Sequence, residues 1–165
     1  MKRSLWILPI LLLIALPLII TACGGGSSSK AGPTSTGIES SESGPLSDLE
    51  VLLQHGIDLA EQGKLAEAIT IFDKAIELDG SSAIAYNDRG LAHYENGDSD
   101  KALADLQKAM DLEPTAAIPY ANRGLIYQAL DKKPEAIADF EKFISLTDDP
   151  TVIQQVKDLI AQLKQ

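Results

Sequence analysis

Residues 83–116 read AIAYNDRGLAHYENGDSDKALADLQKAMDLEPTA, and the pattern of this stretch recurs on both sides of it. Gly56, Gly90 and Gly124 are evenly spaced, because 90 − 56 equals 124 − 90. The same interval separates three alanines, each followed four positions later by a large apolar residue: Ala68 and Phe72, Ala102 and Leu106, and Ala136 and Phe140. A period of about 34 residues predicts pairs of helices that stack into a solenoid.

Individual positions within the period resemble the tetratricopeptide repeat family. The residues that carry the resemblance are Tyr86, Gly90, Ala102, Leu106, Ala109 and Pro114 in the central copy and Tyr120, Gly124, Tyr127, Ala136 and Phe140 in the third. The resemblance covers about residues 49–150 and implies an all-α fold, an α-solenoid of three helix–turn–helix repeats at 49–82, 83–116 and 117–150. The last repeat of a solenoid otherwise exposes its core, so the amphipathic segment 151–164 is expected to form a C-terminal capping helix.

The repeat domain is expected to begin at residue 47, because Ser47 and Glu50 have the spacing of a helix capping box. The three glycines of the period should mark close approaches between helices, since glycine inside a helix otherwise costs about 1 kcal/mol relative to alanine. The third copy departs from the pattern at two places. Asp131 replaces a turn glycine, and Phe143 replaces an alanine. These departures indicate that the third copy contacts something other than a regular fourth repeat.

The N-terminal segment is of a different kind. Lys2 and Arg3 precede an apolar run over 5–20, and the sequence ITAC closes it at 20–23. These features predict a secretory signal peptide at 1–22. The ITAC sequence resembles the lipobox of bacterial lipoproteins, which implies cleavage before Cys23 and attachment of lipid to its sulfur. The alternatives are an uncleaved transmembrane helix and a signal peptide whose cysteine is incidental.

Residues 23–46 are rich in Gly, Ser, Thr and Pro, and they contain almost no apolar side chains. A segment of this composition buries too little surface to fold, and it is expected to act as a disordered tether behind the lipidated Cys23. The expected location is therefore the cell envelope, with the protein lipid-anchored to a bacterial membrane on its extracytoplasmic side.

Charge and composition exclude several functions. The formal net charge of −10 and the pI near 4.5 argue against nucleic-acid binding, which needs a basic face. His55 and His93 are isolated and lack the spacing of a metal site. No nucleophile–base pair or phosphate-binding loop is apparent. We therefore expect no metal, no cofactor and no enzymatic activity.

Two arginines stand where the family usually has an apolar residue. Arg89 and Arg123 are each followed by an aspartate at one fixed interval, since 105 − 89 equals 139 − 123. The spacing predicts structural pairs within each repeat, Arg89 with Asp105 and Arg123 with Asp139, with ligand binding as the alternative. Pairing with the corresponding position of the preceding repeat would instead set Arg89 against Ile71.

The resemblance also implies that the first helix of each repeat lines a concave groove. The candidate peptide-binding residues there are Glu50, Leu53, Asn87, Asp88, Leu91, Tyr94, Glu95, Asn122 and Leu125. The two asparagines are expected to hold a peptide backbone, and the acidic side chains favour a partner with Lys or Arg. For the leucines, simple packing between helices is an equal alternative. Some family members clamp a terminal carboxylate with basic residues, but the matching places here hold Leu53, Ile57, Asp88, Ile118 and Asn122.

The functional expectation is an extracytoplasmic scaffold that is anchored to a membrane and binds a protein or peptide partner in its concave groove. The alternative is a structural subunit of an envelope complex that self-associates into a homo-oligomer. In that case Phe143 and the terminal helix would form the contact surface.

Overall fold

A computed structural model describes residues 47–165. The predicted signal peptide, Cys23 and the tether lie outside the described residues. Within the described part, the chain forms seven helices and no strand: α1 Asp48–Glu61, α2 Leu65–Leu78, α3 Ala83–Glu95, α4 Ser99–Leu112, α5 Ala117–Ala129, α6 Lys133–Leu146 and α7 Pro150–Leu163. The predicted all-α solenoid of three helix pairs and a terminal helix is confirmed.

The helices form antiparallel pairs that stack in chain order. The pairs are α1 with α2, α3 with α4 and α5 with α6, and the second helix of each pair also packs on the element that follows it. First helices approach one another closely, α1 with α3 and α3 with α5, whereas no two second helices of the described part come equally close. The first helices are therefore closer together, and the stack curves with α1, α3 and α5 on its inner side.

The two helices of a pair approach most closely at the glycines of the period. A Cβ atom built on Gly124 would lie 2.7 Å from Cε1 of Phe140, and one built on Gly56 would strike the ring of Phe72. At Gly90 the added atom would lie 3.2 Å from the Ala102 carbonyl oxygen, and its other neighbours are the smaller side chains of Asp105 and Leu106. Large side chains fill the space that the missing methyl groups leave, and this contact sets the separation of each helix pair.

Side-chain caps begin α1, α3 and α7. In the predicted capping box, the Ser47 amide donates to Glu50 Oε2 at 2.8 Å, and the Glu50 amide donates to Ser47 Oγ at 3.3 Å. Ser82 accepts from the Ala85 amide at the start of α3, and Asp149 caps α7. Of the described helices, the second helix of each pair begins without a side-chain cap. A tight turn leads into each of these helices instead.

The terminal helix α7 covers the end of the stack with its apolar face. Ile160 is buried in a cluster with Ala136 and Phe140, and Val156 and Leu159 pack against this cluster. Phe143 on α6 is only 3% exposed. The expectation that Phe143 forms a surface for self-association was therefore wrong. Within residues 47–165, no helix combines the length and the apolar character needed to cross a membrane.

The turn inside each helix pair has one residue in the left-handed region. The residues are Gly63 with φ of 74°, Gly97 with φ of 94° and Asp131 with φ of 58°. The left-handed conformation brings the Cβ atom of an L-residue close to the following carbonyl oxygen, and only glycine avoids this cost. The third copy thus carries backbone strain that the other two lack.

Replacing Asp131 with glycine should therefore stabilise the protein. We expect Asp131→Gly to raise the free energy of unfolding by about 0.5–1 kcal/mol, after the greater freedom of glycine in the unfolded chain is subtracted. The reverse change at the matching turn, Gly97→Asp, should lower it by about 1 kcal/mol. Urea denaturation of the two variants measures both effects, and a loss of stability in Asp131→Gly would contradict this account of the turn.

Candidate functional site

The inner face of the stack presents two exposed aliphatic side chains. Ile84 on α3 is 59% exposed and Ile118 on α5 is 47% exposed. They occupy the same position of the repeat, since they are one period apart (118 − 84 equals 124 − 90). The pair forms a short apolar ridge across two neighbouring first helices.

A hydrogen-bonded amide pair links the same two helices. The Nδ2 of Asn122 donates to Oδ1 of Asn87 at 2.8 Å, and Nδ2 of Asn87 donates to Oδ1 of Asp88 at 2.9 Å. Asn87 is 8% exposed and Asn122 is 2% exposed. Both asparagines were predicted to hold a ligand backbone, but the structure brings them together and commits much of their hydrogen-bonding capacity to each other. Truncating either one should therefore affect stability as well as binding.

Asp88 ends this chain of hydrogen bonds and is half-buried. Burial raises the pKa of Asp88 to about 6, and the hydrogen bond from Asn87 offsets part of that rise. Among the described residues, no lysine, arginine or histidine forms a salt bridge with it. The carboxyl group thus lies in a poorly solvated place without a counter-charge.

Three other predicted groove residues have contacts within the fold. The carboxylate of Glu50 is held by Ser47 in the capping box, and the hydrogen bond from the Ser47 backbone lowers the pKa of Glu50. Leu53 packs on the cluster around Phe72, and Leu125 packs on the cluster around Phe140. These contacts favour the packing alternative for the two leucines.

The remaining predicted residues lie along α3. Leu91 is half-buried, and Tyr94 packs against the cluster of Ala102, Leu106 and Ile126. Desolvation raises the pKa of Tyr94 and that of Glu95. Asn87, Asp88, Leu91 and Tyr94 therefore share one helix with Ile84, while Asn122 joins them from α5.

The structure brings the two predicted arginine–aspartate pairs together. Arg89 binds Asp105 through two parallel hydrogen bonds of 2.8 and 2.7 Å, and Arg123 binds Asp139 through two of 2.7 Å. The pKa of each arginine is raised, mainly by the hydrogen bonding to its aspartate. Both aspartates are buried, with Asp105 7% and Asp139 5% exposed.

Each arginine also binds a residue of the preceding repeat, and sequence reasoning missed these contacts. Nη1 of Arg89 donates to Asp73 at 2.7 Å, and Nη1 of Arg123 donates to Gln107. A signal for them was present, because Asp73 and Gln107 occupy the same position of the period and each precedes its arginine by the same interval (89 − 73 equals 123 − 107). The arginines thus join successive repeats, which favours the structural reading over ligand binding.

His93 lies beside the first of these clusters. Its Nδ1 atom is buried and has no hydrogen-bond partner within the described residues, and its Nε2 lies 4.0 Å from Asp105. Burial lowers the pKa of His93, which favours the neutral ring. No group of three or more His, Cys, Asp or Glu side chains in residues 47–165 is arranged to hold a metal ion.

Comparison with known protein families agrees with this geometry. A family model described as tetratricopeptide repeat matches residues 53–117, and a second with the same description matches residues 117–150. The chain belongs to the tetratricopeptide repeat family. No curated protein sequence matches it.

Several solved tetratricopeptide repeat (TPR) structures resemble the domain. The first TPR of Spaghetti (RPAP3), bound to the HSP90 peptide SRMEEVD, is 25% identical, and the match covers 68% of this chain and 93% of that chain at a TM-score of 0.59. The MamA protein is 29% identical, with 70% and 67% covered at 0.56. SycD of Yersinia enterocolitica, in complex with a peptide of the translocator YopD, is 15% identical, with 70% and 92% covered at 0.65. At 15% identity this last likeness shows the fold alone.

The arginine clusters of the TPR domain predict a measurable coupling. Arg89→Ala and Asp105→Ala should each lower the free energy of unfolding by about 1–3 kcal/mol, because the first change leaves Asp105 buried without a counter-charge and the second leaves Arg89 only its exposed partner Asp73. The double variant should lose less than the sum of the two. Asp73→Ala should cost less than about 1 kcal/mol, since its side chain is 49% exposed and that of Asp105 only 10%. Additive losses for Arg89 and Asp105 in a denaturation cycle would show that the two residues stabilise the fold independently.

Proposed function

We propose that this protein is an interaction scaffold that holds an extended segment of a partner protein against the inner face of α1, α3 and α5. The observation that carries the proposal is the repeated exposure of Ile84 and Ile118 at one position of neighbouring repeats. Exposed aliphatic side chains in a row on a concave face offer contacts to the apolar anchors of a bound peptide.

The spacing of the ridge suits an extended chain. Packed helices lie about 8–10 Å apart, and a peptide in the extended polyproline II conformation advances about 3.1 Å per residue with three residues per turn. Two aliphatic side chains three positions apart in such a partner lie on one face of it and would therefore reach Ile84 and Ile118 together. The hydrogen-bonded amides of Asn87 and Asn122 provide polar groups on the same two helices as the isoleucines.

The comparisons support the same kind of ligand. The first TPR of Spaghetti was solved with a bound HSP90 peptide. Self-association through the terminal helix is less favoured, because Phe143 is buried and α7 exposes polar residues that include Gln154, Lys157 and Asp158.

We further propose that the scaffold is a lipoprotein anchored through Cys23 on the extracytoplasmic side of a bacterial membrane. The support comes from the sequence alone, from the apolar segment that ends in ITAC at 20–23 and the Gly/Ser-rich stretch after it. Acyl chains gain about 0.8 kcal/mol per buried CH₂ group, so two or three chains would hold the protein at the bilayer.

The groove proposal predicts that binding depends on the isoleucine ridge. The full chain, solubilised in mild detergent, would be used to select binders from displayed random dodecapeptides. Replacing Ile84 and Ile118 together with glutamine should abolish most binding of the selected peptides, because their apolar anchors lose their contacts. Leu78→Gln is the matched control, since Leu78 is 55% exposed but belongs to a second helix. Equal binding to the double variant and to the control would exclude the inner face as the site.

The anchoring proposal predicts that lipid attachment depends on the Cys23 sulfur. The Cys23→Ser variant should stay unlipidated and uncleaved, because a hydroxyl group does not replace the thiolate as nucleophile in lipid transfer. Intact-mass spectrometry of the protein from bacterial membranes tests this. An unmodified Cys23, or a chain that still begins at Met1, would refute the proposal.

A further inference from the structure

Asp88 differs from its counterparts in the neighbouring repeats. The same position of the period holds Gln54 in α1 and Asn122 in α5, since 88 − 54 equals 122 − 88. Only the central first helix therefore carries a charge at this place. Asp88 follows Ile84 by one helical turn, so the two side chains share a face of α3.

Asp88 is partly buried but has no cation beside it, unlike the other buried carboxylates of the domain. Asp105 and Asp139 are buried too, but each binds an arginine through two hydrogen bonds. For Asp88 the described residues provide one hydrogen bond, from the uncharged amide of Asn87. The rise of its pKa to about 6 is the expected consequence of partial desolvation without a cation.

The charged groups on the helices packed around α3 leave Asp88 without a partner. On α2 and α4, Asp73 and Asp105 bind Arg89, and His93 on α3 faces Asp98 and Asp105. On α1, Asp58 accepts from Gln54, and Glu50 belongs to the capping box. The cations of these helices do not pair with Asp88. Arg123 on α5 binds Asp139, and Lys101 on α4 binds Asp98. Lys74 on α2 and Lys108 on α4 are exposed, and neither forms a salt bridge with Asp88.

We propose that Asp88 is the receptor for a lysine or arginine side chain of the segment that the groove binds, with aliphatic residues on either side of that cation in contact with Ile84 and Ile118. The proposal rests on the proposed function and adds its specificity. A ligand cation would supply the counter-charge that the fold does not provide. A charge-assisted hydrogen bond in this partly desolvated place is stronger than one at an open surface.

The same geometry disfavours acidic ligands. A peptide such as SRMEEVD, which the Spaghetti domain binds, carries one arginine near its start and then two glutamates and an aspartate. The acidic part of such a peptide, placed beside Asp88, would add like charges to a carboxylate that already lacks a counter-charge. The groove should therefore select basic segments and reject acidic ones, although the fold is shared.

Binding of a cation should be linked to a proton. In the free protein, Asp88 is mostly protonated below its pKa of about 6 and ionised above it. A lysine or arginine binds the ionised form and lowers the pKa, so binding in weakly acidic solution releases a proton. The affinity should thus rise as the pH increases toward 6 and level off above it.

The peptides selected on the full chain provide the first test. Binders that depend on Ile84 and Ile118 should be enriched in lysine or arginine between two aliphatic positions, compared with the unselected library. Ridge-dependent binders without this enrichment would overturn the role of Asp88 and leave the proposed function intact. If no selected peptide depends on the ridge, both proposals fail.

The second test measures the dissociation constant of the most enriched peptide, synthesised with blocked ends and without Asp, Glu or His. Kd should be about tenfold larger at about pH 5 than at about pH 7.5. The Asp88→Asn variant should bind at least about tenfold more weakly at the higher pH and lose the pH dependence. Asparagine can still accept the hydrogen bond from Asn87, so the variant should stay folded, which circular dichroism checks.

Glu77→Gln is the matched control for the loss of one negative charge, because Glu77 is exposed in the last turn of α2. It should change Kd less than about twofold and keep the pH dependence. Asp88→Glu, which retains a carboxylate, should also keep the pH dependence. A Kd of Asp88→Asn equal to that of Glu77→Gln, or a wild-type Kd that does not change between the two pH values, would overturn the proposal.

Discussion

The close approach of paired helices at the glycines is the constraint on which the rest of the domain depends. At Gly124 and Gly56 an aromatic ring occupies the space of a missing methyl group, and at Gly90 the backbone of α4 itself lies against α3. Because the helices of a pair are so close, Arg89 on the first helix binds Asp105 on the second through both Nε and Nη2 of its guanidinium group. The third nitrogen is then left to bind the preceding repeat, as it does at Asp73. The packing within each pair thus also fixes how neighbouring pairs are joined.

This arrangement separates two kinds of polar group. The arginines and their aspartates are paired between helices, where each charge has a counter-charge and each donor an acceptor. The inner face instead carries an amide pair, two exposed isoleucines and one unpaired carboxyl group. The paired groups are explained by the fold, since removing either partner leaves a buried charge. On the inner face the two asparagines bind each other, but Asp88 has no counter-charge and the two isoleucines are exposed. This difference marks that face as the candidate site.

The constant period was enough to predict the fold, because every repeat carries the same small and large residues at the positions where helices meet. It also predicted the bonds from Arg89 to Asp105, since partners within one helix pair have a fixed spacing. The bond to Asp73 was missed although Asp73 and Gln107 precede their arginines by one interval, because a contact between successive pairs also depends on the angle between them, which the spacing alone does not fix. The burial of Phe143 was missed for a related reason. A large residue in place of alanine indicates a different neighbour, but it does not show whether that residue is buried within the domain.

The energetic effect of Asp88 on the fold supports its proposed role in binding. Its pKa in the folded protein, about 6, exceeds that of an aspartate in an unfolded chain, about 3.9. The stability that Asp88 contributes is therefore fully present below its pKa in the unfolded chain, and it is lost as the pH rises through its pKa in the folded protein. At neutral pH the ionised group destabilises the domain, whereas the uncharged Gln54 and Asn122 occupy the equivalent positions of the other repeats without this effect. Packing alone would favour an amide in the central repeat as well. A destabilising carboxylate beside an exposed apolar ridge is instead typical of a site whose missing partner is a ligand.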